Sequence, residues 1–376
     1  MDILQFVRRE AGSEKDITIS PIYPPPHHTS DLPLFLWGAG GLARRVYAWL
    51  AENRIALAGV FIDDRPKEPG QESEKFHGLE VYGLEDVAQK YREFNVIVGH
   101  SQGYHMMDDL KLRYKNIRNV YALDLVVLLG LEPIPYDFVV ENKSAFEWTY
   151  GQFSDELSKA GYLAALNAKI NNNPKYLAPY VRPDEYFCED IIKLGSDEIF
   201  IDCGAFDGDT VTSFLSNLND RSIQGYSAIY ALEPDKTNYK KLLNKVGLMP
   251  NVHCLNKGAW SEATTLRFDS SGDVASHVQD SGETVIETTT IDNLLSGKRA
   301  SLIKMDIEGA ELEGLKGARR TISQYKPKLA VCAYHKPSDL IMLPQYIKSI
   351  VPEYNLFFRL HSWLTIDFVL YAVGGD

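Results

Sequence analysis

The stretch IFIDCGAFDGDTVTSF, residues 199–214, reads as a buried strand, a glycine-bearing loop and the start of an amphipathic helix. The strand ends in Asp202. Gly204 and Gly208 let a ligand approach the backbone without interference from a Cβ. The helix opening near Thr210 offers free N–H groups to a carboxylate. Asp202 and Asp207 repel a pyrophosphate but accept hydrogen bonds from an ammonium group. This favours a cofactor carrying an amino acid over a dinucleotide, and S-adenosylmethionine meets that description. The next strand ends in Leu232-Glu233-Pro234, where an acid takes both hydroxyls of a ribose.

Working outward, strands at Glu198–Asp202, Ser227–Leu232, Val252–Leu255, Leu302–Asp306 and Lys328–Ala333 alternate with helical patterns, which predicts a mostly parallel α/β sheet. Two apolar runs, Asn355–Leu360 and Thr365–Val373, predict an antiparallel hairpin at its edge. Residues 264–290 read as an inserted β excursion with a Ser/Gly/Asp-rich tip. After the fourth strand, KMDIEGAE supplies Lys304, Asp306, Glu308 and Glu311. Strand alternation puts Lys304 and Asp306 on one side. Asp306 or Glu308 can orient or deprotonate a hydroxyl, and paired carboxylates also suit a divalent ion such as Mg²⁺. Glu311 reads as a first-turn helix charge. His335 and His361 follow later strands as candidate proton acceptors, with His277 a weaker one; a capping or exposed role is the alternative for each.

Residues 198–373 resemble the FkbM family of methyltransferases, on FIDCGAFDGDTV, YALEPD, TTTIDNLL and above all LIKMDIEGAELEGLKGA at 302–318. The resemblance implies a class I SAM methyltransferase fold, a seven-stranded sheet with an antiparallel edge strand, and methyl transfer to hydroxyls of sugars or natural products. It places Asp202, Gly204 and Gly208 on the methionine end of the cofactor and Glu233 on the ribose. It also lays Ala259 and Trp260 over the adenine, and points Asp306 at the reacting methyl; from its place after the fifth strand, His335 is expected to handle the acceptor together with Asp306.

The first half opens with a proline-punctuated arm, residues 1–30. From 31 to about 135 a smaller Rossmann-like α/β rhythm follows, and 136–195 reads as a helical linker whose aromatic stripe is taken as packing; the methyltransferase unit then runs 196–376. LFLWGAGGLARRVYAWL carries Gly38, Gly40 and Ala43 in the GxGxxA form, and Asp63 follows a little over twenty residues later. Together with VFIDDRP, FHGLEVYGLEDV and FNVIVGH, this resembles the N-terminal domain of sugar O-acyltransferases. That likeness implies nucleotide-sugar contacts at Gly38, Gly40, Gly41 and Asp63. The alternative is a module kept for packing or dimerisation.

The 376 residues carry a net charge of −12, which argues against duplex DNA or an anionic membrane as a partner. Four cysteines without a CxxC pair argue against a zinc site or disulfide framework. The N-terminus is charged early and lacks the apolar core of a secretion signal, so a cytoplasmic location is expected. The expected acceptor is a sugar or nucleotide-linked sugar, and the edge hairpin can pair with a second copy or stay capped. An NAD(P)-dependent oxidoreductase and a non-catalytic binding protein are the alternatives; the first half shows no Tyr-x-x-x-Lys pattern for a hydride site.

Overall fold

Near-continuous apolar runs such as Phe35-Leu36-Trp37 and Phe200-Ile201 suit strands covered on both faces, and they lie in the middle of two mostly parallel sheets. The computed structural model describes residues 1–8, 22–23, 32–62, 75–100, 103–123, 128, 133–171, 173–269, 277–278 and 284–374. Among these, no helix is long and apolar enough to cross a membrane.

The first sheet runs Ile22–Tyr23, Ile117–Leu123, Phe94–Val98, Leu34–Trp37, Gly59–Ile62, Leu79–Gly83, Lys75–Phe76. Only its two outermost strands pair antiparallel. The helix Gly41–Glu52 buries Ala43, Val46 and Leu50, a stripe at helical spacing. Gly38 makes the turn from strand to helix at φ +114°, and a Cβ there would sit 3.1 Å from the Gly99 carbonyl oxygen. Gly40 caps the helix, and added Cβ atoms at Gly40 and Gly41 would meet open space. Asp63 lies outside the described residues.

The second sheet has the order Val252–Leu255, Ala228–Leu232, Ile199–Cys203, Leu302–Met305, Lys328–Cys332, Phe368–Val373, Asn355–Leu360. Every strand is parallel except Phe368–Val373. The expected C-terminal hairpin forms, but the reversed strand is not the edge strand. Phe368–Val373 inserts between its hairpin partner and Lys328–Cys332. Its first five residues are all buried, whereas Asn355–Leu360 begins exposed, so the more apolar strand takes the doubly covered place. The excursion is a small sheet in which Thr265–Asp269 pairs antiparallel with Thr284–Thr289.

The helical stretch read as a linker is part of the core beneath this sheet. Phe146, Phe153 and Tyr162, on or next to the helices Lys143–Gln152 and Glu156–Asn171, join the same buried cluster as Phe358 and Leu360. Arg359 is fully buried, yet it pairs with Asp155 (Nη2 to Oδ2, 2.6 Å) and donates to Ser158 Oγ at 2.7 Å. The start of the presumed arm is docked as well: Ile3 and Val7 are buried in this core, and the Ile3 N–H donates to Glu147 Oε1.

Candidate active site

A cavity of about 310 Å³ opens above the carboxyl ends of Ile199–Cys203, Ala228–Leu232 and Leu302–Met305. Open α/β sheets place ligands there because the loops diverge from the strand ends. Of the residues singled out in the sequence, Gly204, Thr210, Glu233, Pro234, Ala259, Trp260, Asp306 and Glu308 line it. Asp202, Asp207, Gly208 and His335 are not among the lining residues.

Asp202 is fully buried, and its strand neighbour in register is Lys304. The Lys304 Nζ lies 3.1 Å from Asp202 Oδ1 and donates to the Gly204 carbonyl at 2.7 Å. Asp202 therefore holds the lysine that holds the loop at Gly204, and does not itself line the cavity. Burial pushes its carboxyl up to about 6 despite that lysine. Lys304 is only 2% exposed; burial works against its charge, but Asp202 and Asp306 outweigh burial and keep it protonated. Asp207 turns to Lys245 at 2.8 Å, outside the cavity. Gly208 is the cap of the helix Asp209–Asp220 and faces Leu242 and Val246.

Glu233 is buried at the cavity wall. Its Oε2 accepts the Phe206 N–H at 2.9 Å and its Oε1 accepts the Asp235 N–H at 2.8 Å. Each oxygen keeps a lone pair for a further donor, which fits a ribose diol. Burial raises its carboxyl to about 7, with the two backbone donors pulling the other way.

Asp306 accepts from Tyr186 Oη (3.1 Å) and Tyr334 Oη (3.3 Å). Burial would raise it, but Lys304 and His335 outweigh burial and hold it below the usual carboxylate range. Glu308 is raised by burial, although His335 opposes this. The His335 imidazole lies behind them, 3.2 Å from Glu308 and 3.1 Å from Glu311. Burial opposes its charge, yet these carboxylates push it well above its ordinary value. It lies behind the cavity wall and is not among the lining residues. His361 is also set aside: its Nδ1 donates to the Arg182 carbonyl, Tyr371 Oη donates to its Nε2, and burial lowers it to about 4. His277 sits in the short strand His277–Val278 of the excursion.

Several lining residues carried no assignment from sequence: Glu185, Tyr186, Phe206, Asp209 and Asp367. Glu185 is raised to about 7, by burial first and Asp306 second. Together with Glu233, Asp235, Asp306 and Glu308 these acids face a single lysine, so the cavity suits a cationic ligand. Tyr186, Phe206, Glu308 and Asp367 all have positive φ, between +45° and +62°. Four of the ten described non-glycine residues in that region thus line one cavity, and such strain persists where surrounding structure enforces it.

In chain order the strands of the second sheet read 3-2-1-4-5-7-6 with only the seventh reversed, which with the cavity above strand ends defines a class I methyltransferase fold. Residues 202–362 match the Methyltransferase FkbM domain, so this part of the chain is a methyltransferase domain. The chain is similar to the crystal structure of Methyltransferase FkbM from Methylobacillus flagellatus KT, with 25% identity and a TM-score of 0.63 over 91% of this chain and 90% of that one. That likeness spans the first sheet as well as the second. An rRNA methylase from Streptococcus thermophilus matches with 12% identity and a TM-score of 0.32, over 49% of this chain and 90% of its own. Aeropyrum pernix fibrillarin, with natively bound S-adenosyl-L-methionine, matches with 14% identity and a TM-score of 0.31, over 50% and 72%. No curated protein matches significantly.

Proposed function

We propose that the protein transfers the methyl group of S-adenosylmethionine to a hydroxyl of a sugar or a nucleotide-linked sugar. The observation that carries this is a single cavity joining a buried acid with free lone pairs, Glu233, to a second acid, Asp306, held by two tyrosines. When bound, the cofactor supplies an electrophilic methyl on a sulfonium. Glu233 would accept the ribose hydroxyls, Ala259 and Trp260 would cover the adenine, and the surplus of carboxylates would favour the cationic end. Asp306, fixed by Tyr186 and Tyr334, would align the acceptor hydroxyl, and Asp306 or Glu308 would take its proton. The glycine turn at Gly38, Gly40 and Gly41 supports a nucleotide-bearing acceptor, because a helix N-terminus and open space lie beside it.

Titration calorimetry with S-adenosylmethionine is expected to show binding that weakens about tenfold or more in Glu233→Ala, as for loss of a hydrogen bond to a charged group. Binding by the native protein is expected to weaken as pH falls through about 7, where Glu233 gains a proton, and Glu233→Gln is expected to flatten that profile. Unchanged affinity in Glu233→Ala would sink the cofactor assignment. Transfer of labelled methyl to none of a panel of nucleotide-linked sugars, with cofactor binding intact, would sink the acceptor assignment alone.

A further inference from the structure

Residues 361–367 join the strands Asn355–Leu360 and Phe368–Val373. A hairpin loop that faces water is rich in Gly, Asn, Asp and Ser, yet this one reads HSWLTID and carries Trp363, Leu364 and Ile366. Leu364 is 6% exposed and belongs to the buried cluster on one face of the first sheet, with Phe35, Trp37, Val98 and Met107. Ile366 packs against that cluster and against the core of the second sheet. The loop is thus seated in the first unit, while both of its strands lie in the second. Its far end reaches the cavity: Asp367 lines it at φ +57°, and the His361 N–H donates to the Asp367 carbonyl at 3.0 Å, closing the base of the loop. A hydrogen-bonded chain leaves from the same base. Tyr371 Oη donates to His361 Nε2 at 2.9 Å and accepts the Tyr186 N–H at 3.0 Å, and Tyr186 Oη donates to Asp306 Oδ2 at 3.1 Å. Tyr186, Asp306 and Asp367 line the cavity, whereas Leu364, His361 and Tyr371 are not among its lining residues.

We propose that Leu364 is a positioning residue: its seat in the core of the first sheet fixes Asp367 in the cavity wall and, through His361, Tyr371 and Tyr186, the carboxylate of Asp306. The first unit then builds part of the catalytic cavity, whether or not it holds a ligand of its own. A close-packed apolar side chain resists displacement and passes strain to what it is bonded to, which a solvated loop tip does not. The left-handed backbone at Asp367 fits this, since such strain persists only where the surroundings enforce it. The anchoring stands on packing and hydrogen bonds alone. That the fixed wall serves cofactor binding rests on the methyl-transfer reading above.

The test begins with hydrogen exchange of the full-length protein without ligand. Leu364→Ala is expected to speed exchange of the His361 and Tyr186 amides about tenfold or more, and the volume-conserving Leu364→Met to leave both near native. Val46 lies in the cluster on the opposite face of the first sheet. Val46→Ala is therefore expected to loosen the first unit without touching either amide, which separates positioning from general loss of stability. Titration calorimetry with S-adenosylmethionine adds a cycle: Leu364→Ala and Tyr371→Phe are each expected to weaken binding about tenfold, and the double variant no more than either alone. Circular dichroism identifies any variant that fails to fold, and Leu364→Val takes the place of Leu364→Ala if needed. Native exchange at both amides in a folded Leu364→Ala, the same change in Val46→Ala, or effects on affinity that multiply in the double variant overturn the proposal. A native protein that binds no S-adenosylmethionine sinks the cofactor reading instead, and the exchange result then decides the anchoring by itself.

Discussion

Lys304→Met is expected to cost about 3–5 kcal/mol of unfolding free energy at pH 8, the range seen when one partner of a buried ion pair is removed. Its Nζ sits between Asp202 and the Gly204 carbonyl, and both Lys304 and Asp202 are buried. Methionine fills similar volume, so the loss is electrostatic rather than a cavity. The pH dependence follows from Asp202. Its folded carboxyl, at about 6 in the native protein, already lies above the ordinary value of 3.8 because burial outweighs Lys304. A raised carboxyl contributes stability below its unfolded value and loses it as pH climbs through the folded one. Without Lys304 the folded value moves further up, so the penalty is greatest in alkaline solution and shrinks toward pH 5 as Asp202 takes a proton. Urea denaturation at the two pH values measures this, and Asp202→Asn with Lys304→Met is expected to recover most of the loss. A deficit that stays constant with pH, or no recovery in the double variant, would refute the pairing as the cause.

That pair also shows where the sequence stopped being legible. That Gly204, Thr210, Glu233, Ala259-Trp260 and Asp306 line the cavity could be read because each lies within a few residues of its own strand end. Asp202 could not, since its role depends on which strand lies beside it. Only the register Lys304↔Asp202 shows that the acid faces a lysine. Glu185, Tyr186 and Asp367 reach the cavity from segments distant in sequence, and no local pattern marks them. His335 was correctly placed at a strand end, but its charge state follows from Glu308 and Glu311 closing around it. The reversed strand, similarly, takes its inner position from burial on both faces, which hydrophobicity alone cannot order.

Gly204→Ala is expected to abolish cofactor binding and to reduce methyl transfer by about a hundredfold or more, the effect of misplacing reacting groups by an ångström. Gly204 has φ +78°, and a Cβ built on it falls 1.8 Å from the Asp306 carbonyl oxygen and 2.9 Å from its carbonyl carbon. Both obstacles are backbone, so relief requires separating the ligand loop from the strand end that carries Asp306. The Asp306 N–H donates to the Cys203 carbonyl at 3.1 Å, which ties these same two strand ends together. Two controls divide the cause. Gly225 has a similar φ of +83° with nothing within 4 Å of its Cβ, so Gly225→Ala carries the backbone strain without the collision. Left-handed backbone costs an alanine roughly 1–2 kcal/mol, and Gly225→Ala is expected to lose that much stability while keeping full affinity for the cofactor. Gly40→Ala, with φ −83° and open space, is expected to change neither. Calorimetry and thermal unfolding of the three variants decide the matter: if Gly204→Ala binds the cofactor as Gly225→Ala does, close contact between the loop and Asp306 is not what shapes the cavity.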